Sequence, residues 1–159
     1  MSGIMPSVLV ILGSKSDLDV GQKAVSTLKK FGVDSKIVIA SAHRTPDRVR
    51  SLVEDSDAKV FIAVAGLSAA LPGAIASLTI RPVIGVPVSG KVNLDSILSI
   101  VQMPPGIPVA AVGIDRGENA ALLALEILAI GDEELSNALI RHRKEMAEQV
   151  EKDSAEVGG

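Results

Sequence analysis

Apolar residues fall along this chain in short unbroken runs that alternate with amphipathic stretches. Residues 7–12 (Ser-Val-Leu-Val-Ile-Leu) form a run of strand length, stopped by Gly13. Val20, Ala24, Leu28 and Phe31 then recur at helical spacing. Ser16 stands as N-cap, Asp17 and Asp19 lie in the first turn where the helix dipole favours acids, and Gly32 closes the helix. The same alternation repeats down the chain. Strands are predicted over 33–40, 59–65, 82–88 and 109–114, each apolar on both faces. Between them lie a helix opened by Thr45 and Pro46, an Ala-rich helix to about Leu78, and a short helix over 94–101. A helix over 120–130 follows the fifth strand, and a charged helix over about 132–152 ends in a frayed Gly158-Gly159 tail.

Five strands with intervening helices predict an α/β fold with a five-stranded parallel sheet, helices on both faces and a C-terminal helix. The chain is expected to be one domain over 1–159, with a core at about 7–131 and the last helix added to it. Ligands of such sheets bind beyond the carboxyl ends of the strands, where the strand order reverses. Three loops rich in small residues follow strand ends: 13–17, 41–46 and 66–73. The site is expected among them.

Composition narrows the choices. The 159 residues suit one sizeable core, and mean hydropathy is +0.39. Aromatics are 1%, just Phe31 and Phe61, so the core must be built from Val, Ile, Leu and Ala. A net charge of −3 without stacking aromatics argues against nucleic acid as a partner. Cysteine is absent, which excludes disulfides and thiolate metal sites. Residues 60–80 carry no charge and could span a bilayer by length, but Gly66, Pro72 and Gly73 break them into strand, turn and helix. The opening Met-Ser-Gly-Ile-Met-Pro lacks the basic and apolar regions of a signal peptide. A cytoplasmic protein without membrane contact is the expectation. The 120–130 helix is apolar almost all round, with Glu126 its one charge, and needs cover on every side. That predicts a homo-oligomer.

Few side chains carry chemistry. Gly13-Ser14-Lys15-Ser16-Asp17 offers hydroxyls, N–H groups and a helix start to an anion, and Asp17 could bond sugar hydroxyls; capping alone would also explain it. His43, one of two histidines, sits beside Arg44 in Ser41-Ala42-His43-Arg44-Thr45-Pro46. An imidazole exchanges protons near neutral pH, and a guanidinium holds a phosphate through paired hydrogen bonds. The residues alone leave open a strand-end histidine satisfied by backbone, with the arginine simply solvated. His142, in the run Arg141-His142-Arg143-Lys144, reads as solvated. With no acidic partners at ligand spacing, no metal is expected. A flavin- or nucleotide-binding module on the same fold is the competing reading; the lack of Tyr and Trp removes the usual flavin walls. A receiver-type signalling domain would need an acidic cluster after the first strand and an aspartate ending the third, where Gly13-Ser14 and Ala65-Gly66 stand.

Taken together, residues 13–17, 41–46, Ala65-Gly66 through Leu71-Pro72-Gly73, 82–88, 99–104 and 119–124 closely resemble, in order, the motifs of the PurE family of purine biosynthesis. The resemblance covers about residues 7–135. It implies a flavodoxin-like three-layer sandwich assembled as an octamer, working on a small ribonucleotide and CO2 without cofactor or metal. It makes His43 the catalytic acid/base. Ser14, Asp17 and Arg44 become substrate-binding residues, joined by Ser16, Ser41, Ala65, Gly66 and Leu71. The implied reaction is that of an isomerase, the N5-carboxyaminoimidazole ribonucleotide mutase of IMP biosynthesis. The alternative is a lyase, the direct aminoimidazole ribonucleotide carboxylase. The usual mutase loop carries a histidine immediately before Leu-Pro-Gly, and this chain has Ala70 there.

Overall fold

A computed structural model describes residues 6–158. The strands are β1 (Val8–Leu12), β2 (Ser35–Ile39), β3 (Val60–Ala65), β4 (Val83–Pro87) and β5 (Ala110–Ala111). The helices are α1 (Leu18–Lys30), α2 (Pro46–Glu54), α3 (Leu71–Ala76), α4 (Asn93–Val101), α5 (Gly117–Ala129) and α6 (Glu133–Gly158). The strands form one parallel sheet in the order β2-β1-β3-β4-β5. This is the flavodoxin-like order, in which β1 pairs β2 on one side and β3 on the other. The order reverses there, and the crevice beyond the ends of β1 and β3 is where the topology puts a ligand.

Residues divide by parity along each strand, because successive side chains point to opposite faces. Leu9 and Ile11 of β1, Phe61, Ala63 and Ala65 of β3, and Val83 of β4 pack with Val49 and Val53 of α2, Leu71 and Ile75 of α3, and Ile100 of α4. On the other face, α1 lies against β1 and β2. Contact there is close. A Cβ on Gly21 would lie 2.5 Å from Leu12 Cδ2 and 2.8 Å from Ile37 Cδ1, so α1 approaches the sheet to a depth that only glycine allows. Gly117 meets the Val20 carbonyl in the same way, leaving no room for a side chain. Across the sheet, Gly85 faces Ile100 and Pro72 at comparable distances.

The three inner strands are fully buried, as continuous apolar runs should be in a parallel sheet. The edges are not. Residues of β2 are half-buried or exposed, and both residues of β5 are exposed. The expectation that all five strands are apolar on both faces therefore holds for three of them.

The predicted fifth strand, 109–114, is reduced to two residues. Val112 and Asp115 still donate to the Gly85 and Pro87 carbonyls, at 3.2 and 2.9 Å. Asp115 takes a φ of 58°, however, and the chain turns out of the ladder before α5. That helix begins at Gly117, three residues ahead of the expected start, because the Arg116 carbonyl already accepts from Asn119 and Ala120. Gly32, with a φ of 71°, ends α1 as its sequence position suggests.

Arg81 closes the opposite end of the sheet. Its guanidinium donates to the Ser56, Ala58 and Val53 carbonyls and lies 4.9 Å from the centroid of Phe61. The last turn of α2 is thus capped by a cation, which suits the negative end of a helix.

The chain divides into two compact units, one ending at Ala124 and one beginning at Leu125. In the second, Asp132 caps α6 by accepting from the Leu135 N–H at 2.9 Å, and Arg143 pairs Glu126 at 2.8 Å. The C-terminal helix is helical through Gly158, beyond the expected end near 152, so Gly158 is not frayed; Gly159 lies outside the described residues. No helix among the described residues is long and apolar enough to cross a membrane.

Candidate active site

The first loop leaves β1 at Gly13, whose N–H donates to the Val64 carbonyl of β3 at 3.0 Å. That bond extends the β1–β3 pairing by one step and holds the loop over the crevice. A single 3-10 turn, Lys15–Asp17, precedes α1. Ser14, not Ser16, is its N-cap: the Ser14 hydroxyl accepts from the Ser16 N–H, and the Asp17 carboxylate accepts from the Ser14 N–H at 3.0 Å. This reciprocal arrangement is a capping box two residues ahead of the expected cap. The reason is geometric. The 3-10 turn inserts between strand and helix, so Asp17 becomes the N-cap position of α1 without a side-chain bond of its own there.

Asp17 is 5% exposed, a rarity for a carboxylate. Burial raises its pKa above the usual aspartate value; the Ser14 N–H, the Ser16 hydroxyl and the Arg44 charge pull the other way but do not cancel it. The consequence for stability has a definite sign. A carboxyl whose pKa is higher in the folded chain than in the unfolded one binds more protons when folded. Its contribution is full below the unfolded value of 3.8 and declines as pH rises through the folded one. The urea-unfolding free energy of the native chain, relative to that of Asp17→Asn, is expected to fall as pH rises from that value. A difference that stays flat or rises across the same interval would contradict the burial argument.

The second loop follows β2. The Thr45 hydroxyl accepts from the Ser41 N–H at 2.9 Å and donates to the Ser41 carbonyl at 3.2 Å. Thr45 is the N-cap residue of α2 by position, with Pro46 following, but its hydroxyl serves the loop rather than the helix N–H groups. Arg44 reaches back to the first loop: Nη2 donates to the Gly13 carbonyl at 2.9 Å, while Nε donates to Ser41 Oγ at 3.3 Å. Two of the five N–H donors of the guanidinium are so engaged among the described residues. Ser14, Ser16, Asp17, Ser41 and Arg44 are therefore brought together at the β1 end of the crevice. His43, adjacent in sequence, is exposed and makes no hydrogen bond among the described residues. The strand-end histidine satisfied by backbone is not what is found.

The third loop is set by β3. Ala65 is buried at the strand end, and a Cβ on Gly13 would be 4.0 Å from its own, so the two loops adjoin. Gly66 is half-buried. Leu71 differs from the others. Its side chain is 2% exposed and belongs to the core beside Ala69 and Ile75, which leaves only its backbone to meet a ligand. Ala70 is exposed, and this loop brings no imidazole to the crevice.

Some contributors were not legible in the sequence. Thr45 looked like a simple cap, and its loop-bracing role depends on a turn that spacing does not reveal. Asp95 of α4 accepts from the Ser68 N–H at 2.7 Å, and Asp115 accepts from the Ser89 N–H at 2.8 Å. Burial raises the Asp115 pKa, but the Ser89 hydroxyl and N–H and the charges of Lys23 and Arg116 outweigh it, for a net lowering. Both carboxylates act on loops more than 25 residues away.

Residues 7–149 match the family model described as AIR carboxylase. This chain belongs to that family. An N5-carboxyaminoimidazole ribonucleotide mutase from Methanocaldococcus jannaschii is 59% identical over 144 residues, covering 90% of this chain and 92% of the relative. A phosphoribosylaminoimidazole carboxylase from Ogataea methanolica is 51% identical over 80% of this chain but only 24% of its own length. Among solved structures, Treponema denticola PurE superposes with a TM-score of 0.88 at 32% identity, over 96% of this chain and 98% of that one. The flavodoxin-like sandwich that the resemblance implied is the fold of the family.

Proposed function

We propose that this chain is an N5-carboxyaminoimidazole ribonucleotide mutase, an isomerase of purine biosynthesis acting in the cytoplasm. The observation that carries the reading is the 59% identity, over nearly the full length of both chains, to a protein bearing that name. The crevice supports it physically. Arg44 and the Ser14–Asp17 loop offer a guanidinium, hydroxyls and N–H groups to a ribose phosphate, with Ser41 beside them. His43, next to that anchor in sequence, makes no hydrogen bond among the described residues.

The reaction needs little more. The bond from N5 to the carboxylate breaks and releases CO2, C4 attacks that CO2, and a proton passes from C4 to N5. His43 gives and takes the proton as general acid/base. Small residues at the end of β3 leave room for a flat ring and hold CO2 next to C4, a proximity effect.

The decisive test offers N5-carboxyaminoimidazole ribonucleotide in one reaction and aminoimidazole ribonucleotide with high CO2 in another. The mutase reading expects much the greater efficiency with the first. The reverse result would make the chain a carboxylase, a lyase. That second reading is favoured by Ala70 and by the name of the Ogataea relative.

We also infer a homo-oligomer, with the octamer as its form. Leu94, Leu98 and Val101 are exposed at i, i+4 and i+7 on α4, a stripe of the kind that packs against another protein surface. Ile130, at the end of α5, is 87% exposed. The 120–130 helix is less demanding than its sequence suggested, since Ala120, Ala121, Ala124 and Leu125 are already buried within the chain. Light scattering at micromolar concentration is expected to give a multiple of 16.4 kDa; a monomer would refute the assembly.

A further inference from the structure

Ser68, in the loop from β3 to α3, has a φ of 48°. A residue with a Cβ adopts this left-handed conformation only where its surroundings impose it. Here the surroundings are specific. The Ser68 N–H donates to Asp95 Oδ2 at 2.7 Å, and the Ser68 carbonyl accepts from the Ala70 N–H to close a tight turn. Ala69 and Leu71 fasten the far side of that turn in the core. Leu67, Ser68 and Ala70 are exposed. This exposed loop is thus held by a carboxylate on a helix 27 residues away.

We propose that Asp95 is a positioning residue for the reaction. By accepting the Ser68 N–H it keeps residues 66–70 in their turn at the end of β3, and so keeps released CO2 beside C4 until it is recaptured. This inference rests on the mutase reading. Asp95 touches neither substrate nor CO2; it acts through the loop. The competing role for an aspartate in the first turn of α4 is compensation of the helix dipole. The two roles separate on substitution, because Asp95→Asn removes the charge but keeps an acceptor, whereas Asp95→Ala removes both.

Loss of the turn has a chemical signature. If CO2 escapes after the N5–carbon bond breaks, C4 is not carboxylated, a proton from solvent completes N5, and aminoimidazole ribonucleotide and bicarbonate accumulate. The experiment supplies substrate labelled with 13C in the N5 carboxylate. It measures label in 4-carboxyaminoimidazole ribonucleotide against label in the bulk bicarbonate pool. Uncatalysed loss of CO2 from the free substrate is measured without enzyme and subtracted, and active enzyme is matched between variants, so the partition is read per turnover and a smaller folded fraction does not change it. Asp95→Ala is expected to lose at least fivefold more label to bulk than the native chain, and Asp95→Asn to stay within twofold of it. Asp95→Ser, whose shorter side chain withdraws the acceptor but suits a helix start, carries the same expectation should the alanine variant fold poorly.

Native-like retention in both Asp95→Ala and Asp95→Ser would overturn the inference. So would equal leakage from Asp95→Asn and Asp95→Ala, which would assign the effect to charge. A native chain that makes no product from the labelled substrate would instead refute the mutase reading, and the inference with it. That failure is visible in the native arm alone.

Discussion

His43→Asn is expected to lower turnover by about 10²–10⁴-fold, the usual contribution of a positioned proton-transfer group, while substrate affinity stays within about tenfold, or 1.4 kcal/mol. The structure makes this a clean test. His43 is exposed, has no hydrogen bond among the described residues, and lies outside the core. A substitution at such a position changes stability by no more than about 0.5 kcal/mol, so lost activity cannot be ascribed to lost fold. Asparagine preserves the approximate shape and polarity but neither gains nor releases a proton in the working range. The comparison is made by steady-state kinetics beside calorimetric binding of the substrate to the variant. Near-native turnover would remove His43 from the mechanism. Lost affinity with unchanged turnover would recast it as a binding residue.

How far the sequence could anticipate this molecule depends on which kind of information a feature carries. The inner strands were legible because burial on both faces leaves an unbroken apolar run, and β1, β3 and β4 lie where such runs stand. The fifth strand was overextended because Val109 to Ile114 is apolar enough to look like a strand. What ends it is a left-handed aspartate answering to Ser89, a contact made across 26 positions. Likewise the cap at Ser14 was missed by two residues, since a 3-10 turn and the first turn of a helix share the same residue preferences. The candidate site divides along the same line. Its location followed from topology, and Arg44 and Asp17 were visible as charges near strand ends. The bond from Arg44 to Gly13, the burial of Asp17 and the hold of Asp95 on Ser68 are properties of the folded chain alone. Leu71 shows the converse: a motif position singled out for the ligand whose side chain the core has taken.

Arg44→Ala is expected to weaken substrate binding chiefly, by about 2–5 kcal/mol if bound substrate shields this exposed guanidinium and its phosphate from water, with turnover at saturation affected far less. Two effects combine in that loss. The variant removes the guanidinium proposed to hold the phosphate, and it also cuts the link from the second loop to the Gly13 carbonyl, so the Ser14–Asp17 loop loses a brace. Arg44→Lys distinguishes them. A lysine restores the positive charge but, as a compact ammonium, cannot bond the Gly13 carbonyl, Ser41 Oγ and a phosphate in one planar fork. If charge alone matters, Arg44→Lys recovers most of the affinity; if the fork matters, it recovers little, and that is the outcome expected here. Calorimetric titration of both variants with substrate, and with inorganic phosphate as competitor, makes the measurement. Unchanged affinity in Arg44→Ala would sink the phosphate-clamp role. The contrast with His43 is then the strongest statement the crevice supports. Two adjacent residues should fail in opposite ways, one in turnover and one in binding, if the proposed division between proton transfer at His43 and phosphate binding at Arg44 is right.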